Sequence, residues 1–260
     1  MKTSKIISIV NQKGGVGKTT TTINLGTALA AIEKKILLID LDPQGNLSTG
    51  IGISEIEREM SVYDVITRDI SLNKTILTTK IPNLKIVPSN PNLSGIEFEL
   101  AADNNRADKL NRKFNDIEKE FDFIFIDCPP ALGLLTINSL VASNTTIIPL
   151  QSEFFALEGL SALMETISLI QQNFNNNLKI EGILLTMIDK RNSLSSLVEN
   201  DVRQHFGDQV YKTTIPRNVK ISEAPSHGKP ALVYDTQSAG SLAYIELAKE
   251  VILNQNKNNE

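Results

Sequence analysis

Apolar residues in this 260-residue chain gather in short consecutive runs rather than in strict alternation with polar ones. Ile6–Val10, Ile36–Ile39, Leu84–Val87, Phe123–Ile126, Thr145–Pro149, Gly182–Met187 and Val210–Ile215 read as strands. Consecutive apolar positions suit strands covered on both faces, as in a parallel sheet buried between helices. Between the runs lie segments with helical spacing: Thr19–Glu33, Asp103–Glu120, Leu132–Ala142, Ala156–Asn173, Ser195–Phe206 and Ser241–Leu253. This alternation predicts an α/β fold, a doubly wound and mostly parallel sheet flanked by helices. With no repeat and no Gly/Ser- or Pro-rich linker, one domain is expected over 1–253, with a polar, frayed tail at 254–260.

Composition narrows the setting. The chain is 41% hydrophobic and 22% charged, ordinary for a globular protein. Its single cysteine, Cys128, rules out an intrachain disulfide, and nothing argues for an oxidising compartment. The longest apolar runs are far short of a membrane span, and Met1–Lys5 is polar, so a cytoplasmic location is expected. The formal charge of −4 excludes a uniformly basic nucleic-acid surface and leaves only a local patch.

The segment Ile6–Thr20 carries the most chemistry: a strand, then Gln12-Lys13-Gly14-Gly15-Val16-Gly17-Lys18-Thr19-Thr20, then a helix. Three glycines let backbone amides converge on an anion, and the helix start adds its positive dipole end. Lys18 supplies a charge for the β- and γ-phosphates and Thr19 a hydroxyl for Mg²⁺. A bare Gly-Lys-Thr fits a solvated turn equally well; strand, glycine turn, Lys-Thr and helix together make a P-loop. Two runs end in aspartates at the strand ends, where open α/β sheets place ligands: Asp40 and Asp42 after Leu37-Leu38-Ile39, and Asp127 after Phe123–Ile126. The second is Walker-B-like, with Asp127 holding Mg²⁺ through water. Cys128 reads as a small buried thiol. His205 and His227 stand apart, without metal-ligand spacing.

The ordinary P-loop has glycine where Gln12 stands, and here Lys13 opens the turn instead. The string Lys13–Thr20 resembles the deviant Walker A of the ParA/MinD superfamily of P-loop NTPases. Further strings resemble its Soj-like branch: Asp40–Asn46, Pro129–Gly133 running into Asn138-Ser139-Leu140, Gln151–Gly159 and Ile215–Pro230. The likeness covers Lys5 to Ala248. It implies an ATPase that uses ATP and Mg²⁺ and closes as a homodimer over two nucleotides. Lys13, Gly14, Gly15, Val16, Gly17, Lys18, Thr19 and Thr20 would bind nucleotide, with Lys18 acting in cis and Lys13 reaching the partner's nucleotide. By the same resemblance Asp42 positions the attacking water, Asp40 supports the metal site, and Pro216 and Asn218 pack against the adenine. It further implies a ParB-like partner that stimulates hydrolysis, sequence-independent binding of double-stranded DNA, and association with the nucleoid. The first strand begins almost at residue 1, which departs from plasmid-type members with a helix-turn-helix extension and argues against operator binding.

The charge question then becomes local. From 190 to 229 there are seven basic residues (Lys190, Arg191, Arg203, Lys212, Arg217, Lys220, Lys229) against four acidic ones. Composition alone favours a solvated face; the resemblance favours DNA, with Arg217 and Lys220 as the first contacts. A MinD-like division-site regulator on a membrane is disfavoured: Leu242, Ile245, Ala248 and Ile252 suit a docked helix and the last residues carry no apolar anchor. One cysteine cannot supply half of a four-thiolate cluster, which sets aside an iron–sulfur reductase. A ligase or kinase would share the P-loop, and an ATPase positioning a non-DNA cargo would share all of the nucleotide chemistry.

Overall fold

The computed structural model describes residues 4–257 except 118, 154, 155 and 190, and also leaves out the side chains of 116, 156, 256 and 257. Seven strands form one sheet: β1 (Lys5–Ile9), β2 (Ile36–Asp40), β3 (Leu77–Thr78), β4 (Leu84–Val87), β5 (Phe123–Asp127), β6 (Thr145–Gln151) and β7 (Lys179–Thr186). Their order is β3-β4-β2-β5-β1-β6-β7, parallel throughout except for the antiparallel edge pair β3/β4. Five helices are long enough to cover it or nearly so: α1 (Lys18–Ala31), α5 (Leu134–Ala142), α6 (Ala156–Asn173), α7 (Ser193–Phe206) and α10 (Ala239–Lys257). The short helices α2 (Asn46–Gly50), α3 (Val62–Thr67), α4 (Ile96–Glu99), α8 (Val219–Glu223) and α9 (Ala231–Tyr234) lie in the connections.

The consecutive apolar runs have a direct structural meaning. Ile7, Ile9, Ile36, Leu38, Phe123 and Phe125 point to one face, where they meet Leu25 and Leu29 of α1 and Tyr244, Leu247 and Val251 of α10. Their neighbours Ile6, Leu37, Ile39, Ile124 and Ile126 join the opposite core with Leu140, Leu163, Ile167, Val198 and Val202. Because adjacent residues alternate faces, only an unbroken apolar run fills both cores. Helix α10 docks through Tyr244, Leu247, Ala248 and Val251, while Leu242, expected on the docked side, stays exposed together with Leu253; exposing Leu247 or Val251 would cost on the order of 1.5–3 kcal/mol each.

Three expectations are corrected. The segment 103–120 is not one helix but two 3₁₀ turns, Arg106–Asp108 and Asn111–Asp116. Its Leu110, Phe114 and Ile117 are buried at helical spacing, but Asn138 of α5 inserts its carboxamide between them and the rest of the segment. Asn138 Oδ1 accepts from the Leu110 amide at 3.2 Å while its Nδ2 donates to the Arg106 carbonyl at 2.8 Å. Those two groups are the i and i+4 partners that an α-helix would have joined. Likewise 210–215 tracks β7 through Tyr211 N–H to Ile183 O and Ile215 N–H to Leu185 O, yet forms no strand. The amides of Lys212 and Thr213 in between donate to the Glu250 carboxylate of α10, at 2.7 and 2.9 Å. The last helix runs on to Lys257, so 254–257 are helical rather than frayed.

Asn138→Ala removes both of its long-range bonds and leaves a buried amide and carbonyl to re-pair. The expected cost is about 1–3 kcal/mol, read as a lower urea midpoint at unchanged slope. An unshifted midpoint would show that the inserted carboxamide does not hold the segment.

Candidate functional site

Sequence and sheet order together place the glycine turn at the C-terminal end of central β1, flanked by the ends of β5 and β6. The turn is strapped on several sides. Asn11 Nδ2 donates to Pro149 O at 2.8 Å, and its Oδ1 accepts from the Lys13 amide at 2.9 Å. Thr186, the last residue of β7, donates its hydroxyl to Val16 O at 2.8 Å. Gly15 and Gly17 sit at φ of 76° and 92°, a region L side chains enter only with strain. Gly17 precedes α1, and no side chain caps that helix. Its first amides are therefore left for an anion, with the helix dipole behind them.

Lys18 is 6% exposed and donates from Nζ to the carbonyl of Lys13 at 3.0 Å. Burial lowers its pKa, opposed by the nearby carboxylate of Asp127. Asp40 and Asp127 are paired in register across β2 and β5, and both are fully buried. Asp127 accepts from Thr19 Oγ1 at 2.7 Å and Thr22 Oγ1 at 3.2 Å. Desolvation, then the charge of Asp40, pushes its pKa up to about 8. Desolvation likewise raises Asp40 to about 6, against the hydrogen bonds from Ser48. Two buried carboxylates side by side call for a cation. Thr19 and Asp127 offer the hard oxygen donors that Mg²⁺ takes, with nucleotide phosphate completing the shell. Among the described residues there is no group of three or more His, Cys, Asp or Glu that could hold a metal.

Lys18 and Thr19 border a cavity of about 540 Å³, lined also by Gly14, Gly15, Gly17 and Thr20 on one side and Asp42, Asn46 and Thr49 on the other, with Asp127 behind Thr19 rather than in the lining. Asp42 is 7% exposed, and its Oδ1 accepts from the Gln44 amide at 2.9 Å. A second cavity of about 250 Å³ shares Gly17, Thr20, Met187 and Pro225 with the first and adds Pro216, Asn218, Ile221 and Tyr244. Triphosphate in the first and a base in the second fit this pairing. Met187 bounds both at a φ of 53°, a strained backbone position of the kind that clusters at binding sites. A larger opening of about 720 Å³ lies at the other end of the sheet, among Lys35, Lys80, Lys85 and Lys119. It has no glycine cradle.

The structure brings Gly14, Gly15, Gly17, Lys18, Thr19, Thr20 and Asp42 together around one space. Val16 is buried beneath them, and Pro216 and Asn218 face the neighbouring cavity. Asp40 does not border the cavity: its Oδ2 accepts the Ser48 amide at 2.8 Å and the Ser48 hydroxyl at 2.6 Å. Its part is to anchor the loop that carries Asp42. Lys13 also stays outside its own cavity, half-exposed and ion-paired with Glu153. In the basic stretch Lys190 lies outside the described residues. Lys220 pairs with Glu223 at 3.1 Å and lies over the Tyr234 ring, Arg203 pairs with Glu199, and Arg191 with Asp189. Arg217 is exposed and borders a small opening with Arg191. Cys128 is buried, donates to Ser139 Oγ, and has its thiol pKa pushed up to about 12 by desolvation. Sequence reasoning missed Ser48, Asn46, Thr49, Thr186, Met187 and Pro225. Only Thr186 carried a signal, as a hydroxyl at a strand's C-terminal end.

A strand, a glycine cradle, a helix start with a buried lysine, and a hydroxyl–carboxylate cation seat define a P-loop ATPase that takes ATP with Mg²⁺. The family model described as an AAA domain matches residues 4–180. The chain is 51% identical to sporulation initiation inhibitor protein Soj of Bacillus subtilis, over 96% of this chain and 99% of that protein. It is 50% identical to the chromosome partitioning protein ParA of Caulobacter vibrioides, over 95% and 94%. Among solved structures, cobyrinic acid a,c-diamide synthase of Mycobacterium smegmatis with bound ADP and magnesium superposes with a TM-score of 0.86 at 34% identity, over 99% of this chain and 97% of that one. The chain belongs to the Soj/ParA family of partitioning ATPases.

Lys18→Ala should abolish nucleotide binding or turnover, because among the described residues no other buried ammonium faces the cradle. Fluorescent-nucleotide titration and phosphate release check it, and full activity would refute the assignment of the cradle.

Proposed function

We propose that this chain is a dimeric ATP-driven switch for DNA segregation. The observation that carries the reading is the division of labour between two lysines. Lys18 is buried inside its own cradle, whereas Lys13 stands half-exposed outside it on a labile ion pair with Glu153. A half-exposed pair is worth only about 0–1 kcal/mol, so Lys13 is cheaply released toward a second subunit's nucleotide. Two subunits close over two ATP molecules, and the dimer binds double-stranded DNA without sequence preference. Hydrolysis to ADP and phosphate, stimulated by a ParB-like partner, resets the monomers. Such a cycle belongs on the nucleoid in the cytoplasm; among the described residues no helix is long and apolar enough to cross a membrane.

The catalytic argument follows from placement. The cradle amides and Lys18 fix the triphosphate and offset its charge, and Thr19 and Asp127 would hold an Mg²⁺ that would supply further charge neutralisation there. Asp42, on the opposite wall, orients the water that attacks the γ-phosphorus in line with the departing ADP oxygen. The buried Asp40–Ser48 bonds keep that wall in place.

DNA contact rests on a smaller basis than the sequence stretch implied, because three of its cations are matched by local acids. Arg217, Lys212 and Lys229 are exposed and make no ion pair among the described residues. A dimer doubles them. Support also comes from the two relatives at 50% identity and above, of which the Caulobacter protein is named for chromosome partitioning. An ATPase positioning a non-DNA cargo would share the nucleotide site, and its test is the nucleotide dependence of DNA binding.

Asp42→Ala is expected to keep ATP binding and dimerisation and to lose most hydrolysis; rapid turnover by this variant would remove its assigned role. Arg217→Glu should weaken ATP-dependent binding to unrelated duplexes, more at low salt than at high. In the unsubstituted protein, binding that does not depend on ATP, or no DNA binding at all, would point to another cargo.

A further inference from the structure

The two walls of the nucleotide site meet at a close backbone crossing. One wall is the 42–53 loop, which runs from Asp42 through α2 to Ile53. It is stiffened by Gly45 N–H to Asp42 O, Gly52 N–H to Thr49 O and Ile53 N–H to Ser48 O. The other is the 216–228 loop, which carries Pro216, Asn218 and Pro225 and closes with Gly228 N–H to Pro225 O. At the crossing Gly52 has a φ of 88° and Gly228 a φ of 59°. A Cβ on Gly52 would stand 2.8 Å from the Gly228 carbonyl oxygen, and one on Gly228 would stand 2.9 Å from Gly52 Cα. Each position is thus confined to glycine twice, by its backbone angle and by the other backbone. Close by, a Cβ on Gly50 would reach Pro225 Cβ at 3.6 Å.

Two rigid loops in direct backbone contact, one on the base side and one bearing Asp42, cannot move independently. We propose that the Gly52–Gly228 crossing is a positioning contact for hydrolysis, through which seating of the base against the 216–228 loop sets the 42–53 loop, and with it Asp42. This rests on the reading of the second cavity as the base site and of Asp42 as the residue that orients water. The crossing would give the reaction a base requirement although the chemistry occurs at the γ-phosphate. Coupling of this kind needs a contiguous element that both sites bias, and the crossing supplies one.

The unmodified protein gives the first test. Amide hydrogen exchange is followed with saturating non-hydrolysable ATP and with saturating magnesium tripolyphosphate, which fills the cradle but brings no base. Because Asn46 and Thr49 also line the cradle cavity, tripolyphosphate slows 45–53 in part; the proposal expects the nucleotide to slow it clearly further, and equal protection by both would overturn it. Absence of protection over 216–228 with the nucleotide would instead refute the base-site reading, and the proposal with it. The second test compares Gly52→Ala, Gly228→Ala and their double variant with Gly207→Ala, a left-handed glycine at φ 49° with nothing near its Cβ direction. Each crossing variant should lose about tenfold or more in kcat while ATP affinity stays within about threefold, and the double variant should lose little more than either single one. Gly207→Ala should keep the parent's kcat and ATP affinity although its backbone strain lowers thermal stability. Additive losses, or kcat and affinity falling together with thermal stability, would mark the crossing as merely structural and overturn the proposal.

Discussion

The site hangs on one interaction, the buried carboxylate of Asp127 accepting from Thr19 and Thr22 of α1. It joins the end of a central strand to the first turn of the helix that follows the cradle, and so holds the cradle's exit against the sheet. An ionised carboxylate without solvent is costly unless it is hydrogen-bonded or paired with a cation, and here Asp40 lies beside it in the next strand. The local excess of negative charge is answered in two ways: Lys18 is drawn into the interior despite its own desolvation, and a seat is left for a divalent cation. A metal-bound polyphosphate would match both the carboxylates and the lysine.

How much could be read before the fold was known depends on the range of the interactions. The cradle, both aspartate stations and six of the strand runs arise from local constraints: glycine angles, apolar length and residues adjacent in sequence. The errors arise where distant polar side chains take over backbone groups. Asn138 replaces the 106–110 helical bond of a segment with perfectly good helical spacing. Glu250 takes the amides that would have extended 210–215 along β7. Neither substitution of partners leaves a trace in periodicity, because the apolar positions stay buried in both outcomes. The bonds of Asp40 to Ser48 left no sign in the sequence for a related reason: a strand-end aspartate looks the same whether or not a serine eight residues on donates to it.

The basic stretch shows the limit of counting charges. Its excess in the sequence is set against acids inside the window, but Asp189 lies one residue beyond it and still neutralises Arg191. Folding sorts the cations into paired ones and exposed ones, and only the second group can release counterions from a polyanion. A surface of a few unpaired cations per subunit binds weakly alone and gains most when two subunits present it together.

The contact of Lys18 with the carbonyl of its own loop has a kinetic meaning. The ammonium occupies a hydrogen-bonded, buried position 3.0 Å from Lys13 O, so it is already placed at the cradle. Arrival of a phosphate then exchanges one acceptor for a stronger one, with little chain ordering to wait for.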